Sequence, residues 1–151
     1  MSYEDRFKDD WNPKGKGNVS VAAIKFELLK AGKIVLSPEG DNERYDVVVD
    51  EDKRFITIQC KTARLLDGKL VASAHSNTRK GRKHRKDYKG EVDLFGIYSP
   101  DFEKVYFISV KQAPTTDITL RIHPTKSGRK KNIVWAEKYK YTGQNLKDFL
   151  S

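Results

Sequence analysis

The chain has 151 residues, 37% of them hydrophobic and 34% charged, with a formal net charge of +9. That length builds one domain around one core, no apolar run nears the roughly 20 residues of a membrane span, and the charged N-terminus has no secretory h-region. A single cysteine excludes an internal disulfide, and with three scattered histidines (His75, His84 and His123) it leaves no zinc constellation.

Residues 1–16 are charged and lack apolar periodicity, which predicts a flexible N-terminal arm. A helix is expected from about Ser20 to Ala31, capped by Asn18 or Ser20 and stopped by Gly32. Its inward face takes Val21, Ile24 and Leu28. A short strand at 33–37 follows, and Pro38-Glu39-Gly40-Asp41 turns the chain into a hairpin of 45–50 with 54–62. A four-residue loop at 50–53 pairs Val49 with Arg54 and sets Asp46 opposite Thr57. Gln59 is then the diagonal neighbour of Asp46, roughly 7–8 Å away. Alternation places Thr57, Gln59 and Lys61 on the Asp46 face and gives Ile56, Ile58 and Cys60 to the core. That apolar face fixes the register.

An Asp followed one hairpin later by Gln-x-Lys collects two hard oxygen donors and a cation. Such a set suits Mg²⁺, with Mn²⁺ as a substitute, because Mg²⁺ prefers oxygen and keeps several waters. Phosphodiester hydrolysis needs that ion, an oriented water and compensation for charge developing at phosphorus. Asp46 reads as the principal metal ligand, Gln59 as the second, and the Cys60 carbonyl as a further oxygen. Lys61 positions the water and stabilises the transition state.

Further strands are expected at 70–74, 92–98, 104–110 and 118–122, and a terminal helix at 142–150 with Leu146, Phe149 and Leu150 on one side. Glu91 and Asp93 bracket the start of a strand. Trp135 and Tyr139, four apart, read as local packing. The charge is concentrated: residues 77–90 hold seven Lys/Arg against one Asp, and 126–131 hold four with no acid. Both segments are rich in Gly, Ser and Asn and read as loops or hairpin tips. Arg79, Lys80, Arg82, Lys83, Arg85 and Lys86 of the first, with Lys126, Arg129, Lys130 and Lys131 of the second, are the expected phosphate contacts.

The segment GNVSVAAIKFELLKAGKIVLSPEGDNERYDVVVDEDKRFITIQCKTARL, followed by YKGEVDLFGIYSP, VYFISV, LRIHP and NIVWAEKY, resembles the PD-(D/E)XK nuclease superfamily. Within it, the chain is most similar to the group I intron homing endonuclease branch, from Gly17 to about Tyr139. The resemblance implies a restriction-endonuclease-like α/β fold over 17–151, a central mixed sheet flanked by helices. It maps the family's strand acid to Asp46 and its lysine to Lys61, and the intervening acid is often glutamine in this branch, as Gln59 is here. One position departs. The glutamate usual on the first helix, after Gly-Asn-x-Ser, is Val21. Glu27 lies off that face, whereas Glu39 and Asp41 before the hairpin are better placed to compensate.

The expected function is a Mg²⁺-dependent DNA endonuclease of homing type, acting on double-stranded or branched DNA as a homodimer or homotetramer. The alternatives are a Holliday junction resolvase and a DNA-binding protein of the same fold with weakened catalysis. The expected location is the cytoplasm, nucleoid-associated in a prokaryote or virus-infected cell.

Overall fold

The structure, a computed structural model, describes residues 2–8, 12–40, 43–77, 85–128 and 131–150; the side chains of Arg6, Ser76, Asn77, Arg85, Lys86 and Asp87 lie outside the description. The elements in chain order are helix α1 (Pro13–Lys30) and strands β1 (Ile34–Leu36), β2 (Val47–Glu51), β3 (Arg54–Thr62), β4 (Arg64–Leu66), β5 (Lys69–Ser73), β6 (His75–Asn77), β7 (Arg85–Asp87), β8 (Leu94–Ser99), β9 (Lys104–Ser109) and β10 (Asp117–Arg121).

The helix begins seven residues before the expected Ser20. The Asn12 side chain accepts a hydrogen bond from the Lys14 N–H at 3.0 Å, and Pro13, which has no N–H to satisfy, occupies the first helical position. Residues 13–16, assigned from sequence to a loose arm, are therefore helical. Ahead of them a 3₁₀ turn at Glu4–Phe7 packs Tyr3 and Phe7 against the core. At the other end Gly32 N donates to Leu29 O (2.9 Å) and Lys33 N to Leu28 O (3.0 Å). This pair is the Schellman closure, and Gly32 supplies the φ of 79° that it requires. The buried stripe of α1 is Ser20, Ile24 and Leu28, with Val21 half-buried beside it.

A five-stranded sheet in the order β1-β2-β3-β8-β9 forms the centre. Its β3–β8 pair is parallel and the other pairs are antiparallel, so the sheet is mixed. α1 covers one face, against Val47, Val49, Ile58, Leu94 and Phe107. The opposite face carries Phe95, Ile97 and Ile108 against Leu70, Ile118 and Leu120 of a second sheet, ordered β10-β5-β4. Strand β8 is buried along its whole length, as expected of a strand covered on both sides.

The expected α/β architecture around a central mixed sheet is the one found; α1 is the one α-helix among the described residues, and a small sheet covers the second face. The strand expected at 70–74 is β5 and belongs to that small sheet. At the C-terminus a four-residue 3₁₀ turn, Leu146–Phe149, replaces the expected helix; it needs only to drop Leu146 and Phe149 into the core beside Phe107. No helix among the described residues is long and apolar enough to cross a membrane.

The hairpin register also differs. Val49 pairs with Ile56 and Glu51 with Arg54, leaving a two-residue turn at Asp52-Lys53 with φ of 51° and 63°. Two positive φ values mark a type I′ turn, whose twist matches that of the flanking strands. The shift is by an even number of residues, so no side chain changes face.

Gly96 on β8 sets how closely α1 can approach. A Cβ there would meet Ile58 Cγ2 at 3.0 Å, Phe107 Cε1 at 3.1 Å and Ile24 Cδ1 at 3.3 Å. Gly96→Val should destabilise by about 1–3 kcal/mol through overpacking, seen as a lower urea midpoint with an unchanged slope.

Candidate active site

Asp46 sits one residue ahead of β2, and its backbone and side chain both bind β3. Its N–H donates to Ile58 O at 2.9 Å, and its Oδ2 accepts from Cys60 N at 2.8 Å. The carboxylate thus takes the place of a strand carbonyl and is held by the residue between Gln59 and Lys61. Asp46 lies one step past the last ladder pair, Val47 with Ile58, so it continues the β2 side of the sheet without a strand partner of its own. Lys61 Nζ donates to His75 O at 3.1 Å and lies 5.0 Å from the centre of the Tyr88 ring. Ser20 on α1 and Thr62, next after Lys61, share a 2.5 Å hydroxyl hydrogen bond that ties the helix to this end of β3.

The profile of the PD-(D/E)XK endonuclease family matches residues 11–142. The chain belongs to the PD-(D/E)XK endonuclease family. A bacterial homing endonuclease, I-Ssp6803I, is similar in structure at a TM-score of 0.62 and 25% identity, over 85% of this chain and 86% of that one. No curated protein sequence matches the chain.

Electrostatics in this PD-(D/E)XK endonuclease follow from partial burial. Desolvation raises the Asp46 carboxyl above the ordinary range, opposed by the Cys60 N–H, then Lys61, then Lys25. Desolvation lowers the Lys61 ammonium, opposed first by Asp46. The Cys60 thiol is pushed well up by burial and then by Asp46, so it is a packing group, and only its backbone carbonyl is available as a donor.

Lys25 is the site member that sequence reasoning missed. It lies one helical turn beyond Val21 on the same flank of α1, where its charge favours the ionised form of Asp46. The helix that the resemblance expected to carry a glutamate therefore presents a cation near Asp46 instead. The signal was available as the i, i+4 spacing from Val21.

Asp93 and Glu91 are engaged in other contacts. Asp93 Oδ2 accepts from Thr57 N (3.0 Å) and Thr57 Oγ1 (3.2 Å), joining β3 to the entry of β8. Glu91 pairs with Arg44. Glu39 is exposed, and Asp41 lies outside the described residues. Among the described residues no three His, Cys, Asp or Glu side chains gather as a metal cluster.

Of the expected phosphate contacts, Arg79, Lys80, Arg82, Lys83, Arg129 and Lys130 lie outside the described residues. Arg85 and Lys86 belong to β7, which pairs with β6 as a two-stranded ribbon, His75 opposite Asp87 and Asn77 opposite Arg85. Lys126 and Lys131 are exposed on the segment after β10. The ribbon leaves the domain beside Lys61, so the first basic segment is rooted at the site.

Proposed function

We propose that this nuclease hydrolyses phosphodiester bonds of DNA with Mg²⁺ or Mn²⁺ and is related in action to the homing endonuclease it resembles. The observation that carries this reading is the Asp46 carboxylate, held by the N–H of Cys60, the residue between Gln59 and Lys61 on β3. The donors fit a hard divalent ion. With Oδ2 engaged by Cys60, Asp46 keeps its other oxygen for the metal, and the Gln59 amide and Cys60 carbonyl oxygens complete a set that suits an ion retaining much of its own water. When bound, the ion would supply polarisation of the scissile phosphate and a water of lowered pKa.

The chain's own residues do the rest. Asp46 orients and offsets positive charge, Gln59 contributes a neutral donor, and the Lys61 ammonium holds the attacking water and meets charge developing on the phosphoryl oxygens. With one carboxylate against Lys61 and Lys25, DNA phosphate completes the negative charge that the ion needs. The basic residues of 79–86 and 126–131 bind backbone phosphates, an interaction that weakens steeply with salt. One pocket cuts one strand, so a double-strand break requires a homodimer or homotetramer.

Nicking of supercoiled plasmid and of a four-way junction, each in Mg²⁺ and in EDTA, tests the reading. Metal-dependent cutting of linear or plasmid sites is expected. A preference for the junction would make the protein a resolvase, and salt-sensitive binding without cutting of any target would leave a DNA-binding protein only.

A further inference from the structure

The catalytic lysine is held by groups that no motif names. The His75 carbonyl accepts Lys61 Nζ at 3.1 Å and also Ser73 Oγ at 3.0 Å, while His75 N donates back to Ser73 Oγ at 3.3 Å. Ser73 thus closes the turn that aims this carbonyl. Thr116 O anchors the same turn, accepting Ala74 N at 2.8 Å and lying 3.3 Å from His75 Nδ1. Tyr88, directly after β7 and only 7% exposed, sets its ring centre 5.0 Å from the Lys61 ammonium. Its ring meets Phe95 edge-on at 5.7 Å, and Phe95 is the register partner of Gln59 in the parallel β3–β8 pair. The ring cannot turn away without disturbing the core.

We infer that Ser73 and Tyr88 are positioning residues for Lys61, forming with the His75 carbonyl a socket, built from both stems of the β6–β7 ribbon, that presets the ammonium for the phosphate. A free lysine side chain carries substantial rotamer entropy. Ordering it before the substrate arrives removes that cost from the chemical step. The ammonium has three donors. One is spent on His75 O, and the ring faces the charge without consuming a donor, so donors remain for a phosphate or water. The ribbon that carries the basic segment is then also the part that holds the catalytic group.

The catalytic side of this inference rests on the nuclease reading, but the socket can be tested without cleavage. Competitive acetylation of the full chain in the absence of DNA, resolved by lysine with mass spectrometry, reports how tightly Lys61 is held. Ser73→Ala and Tyr88→Leu should raise the Lys61 rate relative to exposed lysines by about fivefold or more, while Tyr88→Phe, which keeps the ring, stays near wild type. Single-turnover cleavage should fall about tenfold in the first two variants, with the Kd for DNA unchanged, and recover in Tyr88→Phe. Ser73→Ala leaves the core intact and decides the matter where Tyr88→Leu fails to fold. An unchanged Lys61 acetylation rate in Ser73→Ala and in any folded Tyr88→Leu overturns the socket. Normal cleavage with altered acetylation overturns the positioning role. A wild type that cuts nothing refutes the nuclease reading, and the socket is then judged by acetylation alone.

Discussion

Asp46→Asn should lose DNA cleavage by about 10²–10³-fold or more while keeping its thermal unfolding midpoint at or above that of wild type. The two halves of this result have one cause. Burial raises the Asp46 carboxyl, so holding its charge at neutral pH is a cost to the fold. Asparagine retains an oxygen for the Cys60 N–H, 2.8 Å away in wild type, and removes that cost. What it removes from function is the anionic oxygen. Lys61→Ala should show a loss of cleavage of the same order, since it removes the ammonium held at the His75 carbonyl and the Tyr88 ring. Single-turnover rates on plasmid, with unfolding followed by circular dichroism, check both. An Asp46→Asn protein that cuts at the wild-type rate would remove Asp46 from the site. One that unfolds early would make Asp46 a structural residue.

Glu51→Ala should destabilise by about 3 kcal/mol at pH 7, the order expected when one partner of a buried ion pair is removed. Glu51 is 8% exposed. Its Oε1 accepts Lys33 Nζ at 2.8 Å and Leu146 N at 3.0 Å, and its Oε2 accepts Lys147 N at 3.1 Å. Burial alone would raise this carboxyl, but the Lys33 ammonium and the two amides outweigh it and hold Glu51 below the ordinary glutamate range. A carboxyl lowered by folding stabilises fully above its unfolded pKa, about 4.3, and ceases to do so as pH falls through its lower folded value. The stability gap between wild type and Glu51→Ala should therefore be full at pH 7 and narrow below about pH 4. Urea unfolding at the two pH values measures it, and a gap that stays constant would show that Glu51 is not ionised in the fold.

The hairpin and the faces of its strands were legible from sequence because alternation is local. The register was set wrongly by two residues, since Asp50-Glu51-Asp52-Lys53 looks like a solvated loop. Glu51 is drawn into β2 by Lys33 and by amides at 146 and 147, partners that no local window contains. The site survived that error because an even shift preserves parity. The early start of α1 was masked by Lys14, Gly15, Lys16 and Gly17, which read as a loose arm despite the Asn12-Pro13 cap. Lys25 looked like one more solvated lysine, and only the packing of α1 on β3 turns it towards Asp46. That a small sheet covers the second face depends on which strands pair, which apolar runs alone do not specify.

Strand β3 carries both Gln59 and Lys61 and occupies the middle of the five-stranded sheet, with β2 on one edge and β8 on the other. The two ladders meet only at Ile58: residues 54–58 pair with β2 and 58–62 with β8, so Gln59 and Lys61 lie past the end of β2. There Asp46 alone continues the β2 side, through its N–H to Ile58 O and its Oδ2 to the Cys60 N–H. The stretch of β3 that bears Gln59 and Lys61 is thus flanked by a strand on one side and by a single carboxylate on the other, a gap in the sheet made by ending one strand early.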